Sequence, residues 1–148
     1  DRRALGQAQR TLRLAGLGGR AAVVRGDVRA TPVPPRAFDL VISNPPFYPT
    51  GWGRESADGR VHRATHAVAG DVGDFARAAA AALAPHGRLV VVFDAGRLTD
   101  LLRALDAAGL TARALRFLLD DRGLPARVLA LAGRDGPGLI VDTVEAKP

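Results

Sequence analysis

Cysteine is absent from the chain, so no disulfide can staple it, and nothing points to an oxidising compartment. Long apolar runs are missing as well. No stretch approaches the roughly 20 residues needed to span a bilayer, and the opening residues lack a signal-peptide pattern. The expected location is cytoplasmic, with no membrane partner. Several catalytic signatures also fail to occur: there is no phosphate loop, no Ser-His-Asp order and no residue spacing suited to a metal ion. No metal is therefore expected. Lysine is almost absent; Lys147 is the only one, so arginine carries the positive charge. The net charge of +6 and the pI of about 11.3 suit an anionic partner such as nucleic acid. They equally suit the arginine- and alanine-rich composition of a GC-rich genome, and composition alone does not choose between the two.

What is present is enough for one domain with a real core: 148 residues, 47% of them hydrophobic, with a mean hydropathy of +0.04. Residues 2–15 read as a helix, with Leu5, Ala8, Leu12 and Ala15 on one stripe and Gly16 placed to end it. "AAVVR", 21–25, reads as a short strand leading to Gly26 and Asp27. A proline-rich loop follows. Phe38 to Ser43 is a nearly unbroken apolar run, the pattern of a strand buried on both faces. Residues 48–70 read as a long functional loop. Asp71 can cap a helix that runs to about Ala84, and Pro85-His86-Gly87 should end it. A strand at 88–93, a helix at about 97–108 and two strands at 111–118 and 126–132 complete the core. "DDRGLP" between the last two suits a hairpin. The remainder, 137–148, reads as a loose tail. Strands alternating with helices predict an α/β fold: a Rossmann-like, mostly parallel sheet with an antiparallel final edge.

The stretch "DLVISNPPFYPTG", 39–51, carries the chemistry. Two prolines cannot continue a ladder, so the strand must stop on a stiff corner. In an open α/β sheet the carboxyl end of a strand is where ligands bind. Asn44 there can accept and donate hydrogen bonds, and the Pro45 carbonyl is left free to accept. Pro46 stiffens the corner, and Phe47 offers a flat face for stacking. Asp27, at the end of the preceding expected strand, would point into the same crevice, where a carboxylate can accept from an amine. These groups suit one task, holding a planar amine by its N–H bonds so that its lone pair faces an electrophile. Asp94 also follows a strand, but nothing in the sequence pairs with it.

Asn-Pro-Pro-Phe after a buried strand resembles a motif of class I S-adenosylmethionine-dependent methyltransferases that modify exocyclic or amide nitrogens. Gly26-Asp27-Val28 resembles the acidic motif that contacts the cofactor's adenine in that family. "RATH" at 63–66, "DFARAAAAALAPHGRLVVVF" at 74–93 and "PARVL" at 125–129 resemble bacterial tRNA(Val) adenine-N6 methyltransferases. The resemblance implies S-adenosylmethionine as cofactor and tRNA as partner. It implies Asn44, Pro45, Pro46 and Phe47 as catalytic residues, and Gly26, Asp27, Val28 and Asn44 as cofactor contacts. Phe47, Tyr48, Arg63 and His66 would be substrate contacts. Ala67 stands where that family often has Glu. Guanine-N2 methylation of rRNA, glutamine N5 methylation of protein and a non-catalytic RNA-binding fragment stay open as alternatives. The family's glycine-rich cofactor turn is not found, so residues 1–136 are expected to be the carboxyl-terminal two-thirds of a methyltransferase domain.

Overall fold

The computed structural model describes residues 2–46, 70–136 and 138–145. Helix α1 (Arg2–Leu14) is followed by strand β1 (Phe38–Ser43), helix α2 (Val72–Ala82) and strand β2 (Leu83–Asp94). A single 3-10 turn, Ala95–Arg97, leads into helix α3 (Leu98–Ala107), and strands β3 (Thr111–Leu119), β4 (Pro125–Gly133) and β5 (Ile140–Glu145) close the chain. The five strands form one sheet in the order β1-β2-β4-β3-β5. β1 pairs parallel with β2, and β3 parallel with β5, while β4 runs antiparallel to both β2 and β3. Four strands thus share one direction, as the Rossmann-like reading expects.

The core lies on the sheet face that α2 and α3 cover. β2 alternates strictly, placing Leu89, Val91 and Phe93 inward, where they meet Val128, Ala130 and Ala132 of β4 and Leu101 and Leu105 of α3. α2 contributes Ala76, Ala79 and Ala80. Alanines on that stripe have little bulk beyond Cβ, so the helix can ride close to the sheet. Its start is fixed by a reciprocal capping box. Asp71 accepts from the Asp74 amide at 2.9 Å, and Asp74 accepts from the Asp71 amide at 3.0 Å. Its far end is held by Arg134, which donates to the carbonyls of Ala80 at 2.6 Å and Ala84 at 3.3 Å. A cation there also opposes the negative end of the helix dipole.

Four sequence expectations are corrected. Residues 21–25 form no strand; a strand exists through a hydrogen-bonded neighbour, and no described segment offers one there. β1 is not buried on both faces. Its outer edge is unpaired among the described residues, and Leu40 and Ile42 are 53% and 71% exposed. Pro85-His86-Gly87 does not follow the helix as a terminator. It lies within β2 as an irregularity, where pairing jumps from Phe38–Leu83 to Leu40–Arg88. The tail is not all loop, because Ile140–Glu145 adds β5, pinned to β3 by a forked Arg116–Asp142 pair at 2.7 and 3.0 Å.

Replacing Arg134 by alanine removes charge-assisted bonds to the end of α2. The expected cost is about 1–2 kcal/mol of stability, read as a lower urea midpoint with unchanged slope. An unchanged midpoint would show that the α2 carbonyls need no partner.

Candidate active site

The Asn-Pro-Pro corner sits at the carboxyl end of β1, where the sequence placed it. Its residues divide the work. Asn44 is exposed, Pro46 is half-buried, and Pro45 is among the most deeply buried side chains of the chain. Pro45 lies beside Val72, Phe75 and Ala76 of α2, with Leu89 and Val91 of β2 and Leu101 and Leu105 of α3 lining the same small hollow. The ring is therefore wedged into the core, and the stiff backbone on either side of it transmits that anchoring to Asn44. Asn44 is exposed while its neighbour Pro45 is buried. Phe47, Tyr48, Arg63 and His66 lie outside the described residues.

The Gly26-Asp27-Val28 segment reaches the same region by a different route. It is a tight turn closed by an isolated bridge between Asp27 and Ala30. Two close approaches lock it. A Cβ on Gly26 would clash with the Pro32 ring, and a Cβ on Gly70 would lie 2.6 Å from Val28. Gly70 also has φ of +135°, a conformation that other residues rarely adopt. Val28 therefore abuts the residue just before the α2 cap. From there an apolar groove of about 360 Å³ runs between Val28, Thr31 and Val33, the edge of β1 at Ile42 and Ser43, and Phe75 of α2. Val28 of the first motif thus lines one wall of the groove, and Ser43, the residue before Asn44, lines the other.

One partner was not foreseen from the sequence. Asp27 Oδ1 accepts from both the backbone N and Nε of Arg29 at 3.0 Å, and Oδ2 accepts from Arg29 Nη2 at 2.6 Å. The guanidinium holds the Asp27 carboxyl down at about 2, well below its ordinary range, although the pair is exposed to solvent. Oδ2 retains a lone pair, so the carboxylate can still accept one further N–H. Asp94 also has partners: it accepts from the Gly96 amide at 2.9 Å and from Arg127 Nη1 at 3.3 Å. It thereby fixes the turn after β2 next to β4. Only the i, i+2 spacing of Asp27 and Arg29 was available in the sequence as a signal; Asp94 and Arg127 are far apart in the chain.

The profile of the methyltransferase small domain matches residues 1–106. The chain belongs to the methyltransferase small domain family. Among solved structures, a predicted O-methyltransferase from Agrobacterium tumefaciens aligns with a TM-score of 0.66 at 19% identity, covering 98% of this chain and 64% of that one. The mitomycin 7-O-methyltransferase MmcR aligns with a TM-score of 0.51 at 17% identity, covering 86% and 38%. A TehB-like SAM-dependent methyltransferase from Corynebacterium glutamicum gives 0.48 at 20% identity, covering 82% and 63%. The first two likenesses establish the Rossmann-like methyltransferase fold. The chain spans 64% of the length of the first of them. No curated protein matches it. The residues of this methyltransferase-family chain that could hold a nucleoside are the apolar walls of the groove, with Asp27 next to Val28 in the chain as a spare acceptor. Among the described residues no group of His, Asp or Glu could hold a metal ion, and no helix is long and apolar enough to cross a membrane.

Two outcomes are expected. Pro45→Ala removes two buried ring carbons and should cost about 2 kcal/mol of stability, measured by denaturant unfolding; a change under a few tenths would refute the wedge. For Asp27 the folded carboxyl is depressed, so its contribution to stability is present above the ordinary carboxylate range and is lost as pH falls through about 2. In Arg29→Gln the Asp27 midpoint, followed by carboxyl-carbon NMR, should rise toward 3.8. A midpoint that stayed near 2 would mean that Arg29 is not the cause.

Proposed function

We propose that the parent protein is an S-adenosylmethionine-dependent N-methyltransferase acting on the N6 amine of adenine in a tRNA. The observation that carries this reading is the corner at the end of β1: Asn44 exposed, Pro45 locked beneath α2. An aromatic amine is a poor nucleophile because its lone pair is delocalised into the ring. On this reading the Asn44 side-chain oxygen and the Pro45 carbonyl accept its two N–H bonds, which turns the nitrogen lone pair out of conjugation and fixes its direction. Because Pro45 is immobilised by packing, the acceptors are set before the amine arrives, and no reorganisation is needed during reaction. Phe47 stacks on the base, and Tyr48, Arg63 and His66 hold the surrounding RNA. Gly26, Asp27 and Val28, together with Asn44, hold the cofactor's nucleoside. S-adenosylmethionine supplies the electrophilic methyl group when bound.

The preference for an amine over an oxygen acceptor rests on Asn44. An amide can satisfy two N–H bonds jointly with a carbonyl, whereas a hydroxyl substrate needs a base to take its proton, and the described corner provides none. The preference for RNA over protein rests on the ring at Phe47 and on the +6 net charge. The test is transfer of labelled methyl by the full-length parent protein to total tRNA, rRNA and protein in parallel, followed by nucleoside digestion of the RNA. Label in N6-methyladenosine from tRNA is expected. Label in rRNA guanosine or in protein would move the substrate, and no label in any fraction would refute the enzyme. Asn44→Ala should lower transfer about a hundredfold or more while cofactor affinity, measured by calorimetry, is kept. Near-normal turnover in that variant would exclude the role assigned to Asn44.

A further inference from the structure

The positive charge of the chain is not spread over it. Residues 1–37 hold eight arginines and two aspartates, a balance of +6, which is the whole net charge. Residues 38–148 hold thirteen basic and thirteen acidic residues. A bias toward arginine codons raises arginine throughout; it does not remove acids from one quarter of the chain. The ion pairs follow the same division. Arg77, Arg88, Arg97, Arg116, Arg122 and Arg127 each have an acidic partner within the sheet and its helices. In the amino-terminal segment Arg29 pairs with Asp27, while Arg10, Arg13, Arg20, Arg25 and Arg36 make no ion pair among the described residues.

The segment also packs on itself and leaves its arginines exposed. Arg3, Arg10 and Arg13 lie on one side of α1 at helical spacing and are exposed, while Leu5, Ala8 and Leu12 on the other side are half-buried. Residues 18–23 fold back along the helix, where Gly18, Ala21 and Val23 share a hollow with Gln9 and Leu12. Arg20 and Arg25 flank that stretch and are exposed. We infer that α1 and the loop to Ala37 form a docking surface for the phosphodiester backbone of RNA, lying outside the methyl-transfer corner. The choice of RNA as occupant rests on the substrate reading above. An anionic membrane is the less suitable partner, because the apolar stripe of α1 is narrow and turned toward its own loop, and residues 1–37 contain no aromatic anchor. The same lack of aromatics means that no base is stacked there. The surface reads charge and not sequence, leaving discrimination to the corner.

The test is binding of the full chain to fluorescein-labelled oligouridylate, followed by anisotropy across a salt series. Each phosphate contact contributes about 0.7 to the slope of log affinity against log salt for a single strand. The variant R10Q/R13Q/R20Q/R25Q should therefore flatten the slope by roughly 3. The variant R77Q/R103Q/R116Q/R122Q, which removes the same charge from the balanced part, should keep most of it. An unchanged slope in the first variant would overturn the inference, as would equal loss in both variants. Binding of the wild type to phosphatidylserine vesicles but not to RNA would overturn it in favour of a membrane surface. The methyl-transfer assay separates this inference from the substrate reading. RNA methylation by the first variant with unchanged KM sinks the docking surface and leaves the enzyme intact. Loss of slope without any RNA methylation sinks the substrate reading and leaves the docking surface standing.

Discussion

The close seating of α2 on β2 is the constraint from which the rest follows. Ala76, Ala79 and Ala80 let the helix approach the strand, and the capping box at Asp71 and Asp74 fixes where it begins. That starting point places Val72 and Phe75 beside the Pro45 ring. It also sets Gly70 against Val28, so the turn of residues 26–28 takes its position from the same helix. Both walls of the groove are thus referred to one element. A larger residue at Ala76 or Ala79 would move them together.

The parts of the fold that could be read in the sequence are those whose pattern and environment agree. β2 and β4 alternate because one face is buried, and the hairpin between β3 and β4 is announced by its turn residues. The capping of α2 by Asp71 was legible for the same reason, since a cap is local chemistry. The failures were non-local. "AAVVR" has strand composition, but composition supplies no neighbour. β5 has exposed Ile140, Val141 and Val144, so no inward-facing period marks it; its register comes from Arg116, which is distant in the chain. Pro85-His86-Gly87 looked like punctuation, and only the pairing of Phe38 with Leu83 shows that the strand had already begun.

The site divides in the same way. The position of Asn44 and the prolines at a strand end was legible because the corner is contiguous, and Pro45 owes its burial to a helix whose own start was also legible. Asp27 was identified as an acceptor without its partner, and Arg29 changes its character from a free carboxylate to one end of a forked ion pair. In the sequence Asp94 stood alone, and in the fold it meets Arg127 across the β2–β4 pairing. Antiparallel neighbours bring together residues that no short-range reading can join.

The placement of β4 has a further consequence, in the entropy of loop closure. The β3–β4 hairpin closes a loop of a few residues, since Leu119 lies opposite Pro125. The β1–β2 pairing, which joins Ser43 to Val91, closes a loop roughly nine times longer, and the logarithmic dependence makes that closure costlier by about 2 kcal/mol. Most of that loop is α2 together with the segment after Asn44. The strand that presents the Asn-Pro-Pro corner therefore draws little on local connectivity for its attachment. It is held chiefly by its parallel ladder with β2, since no residue of β1 is buried.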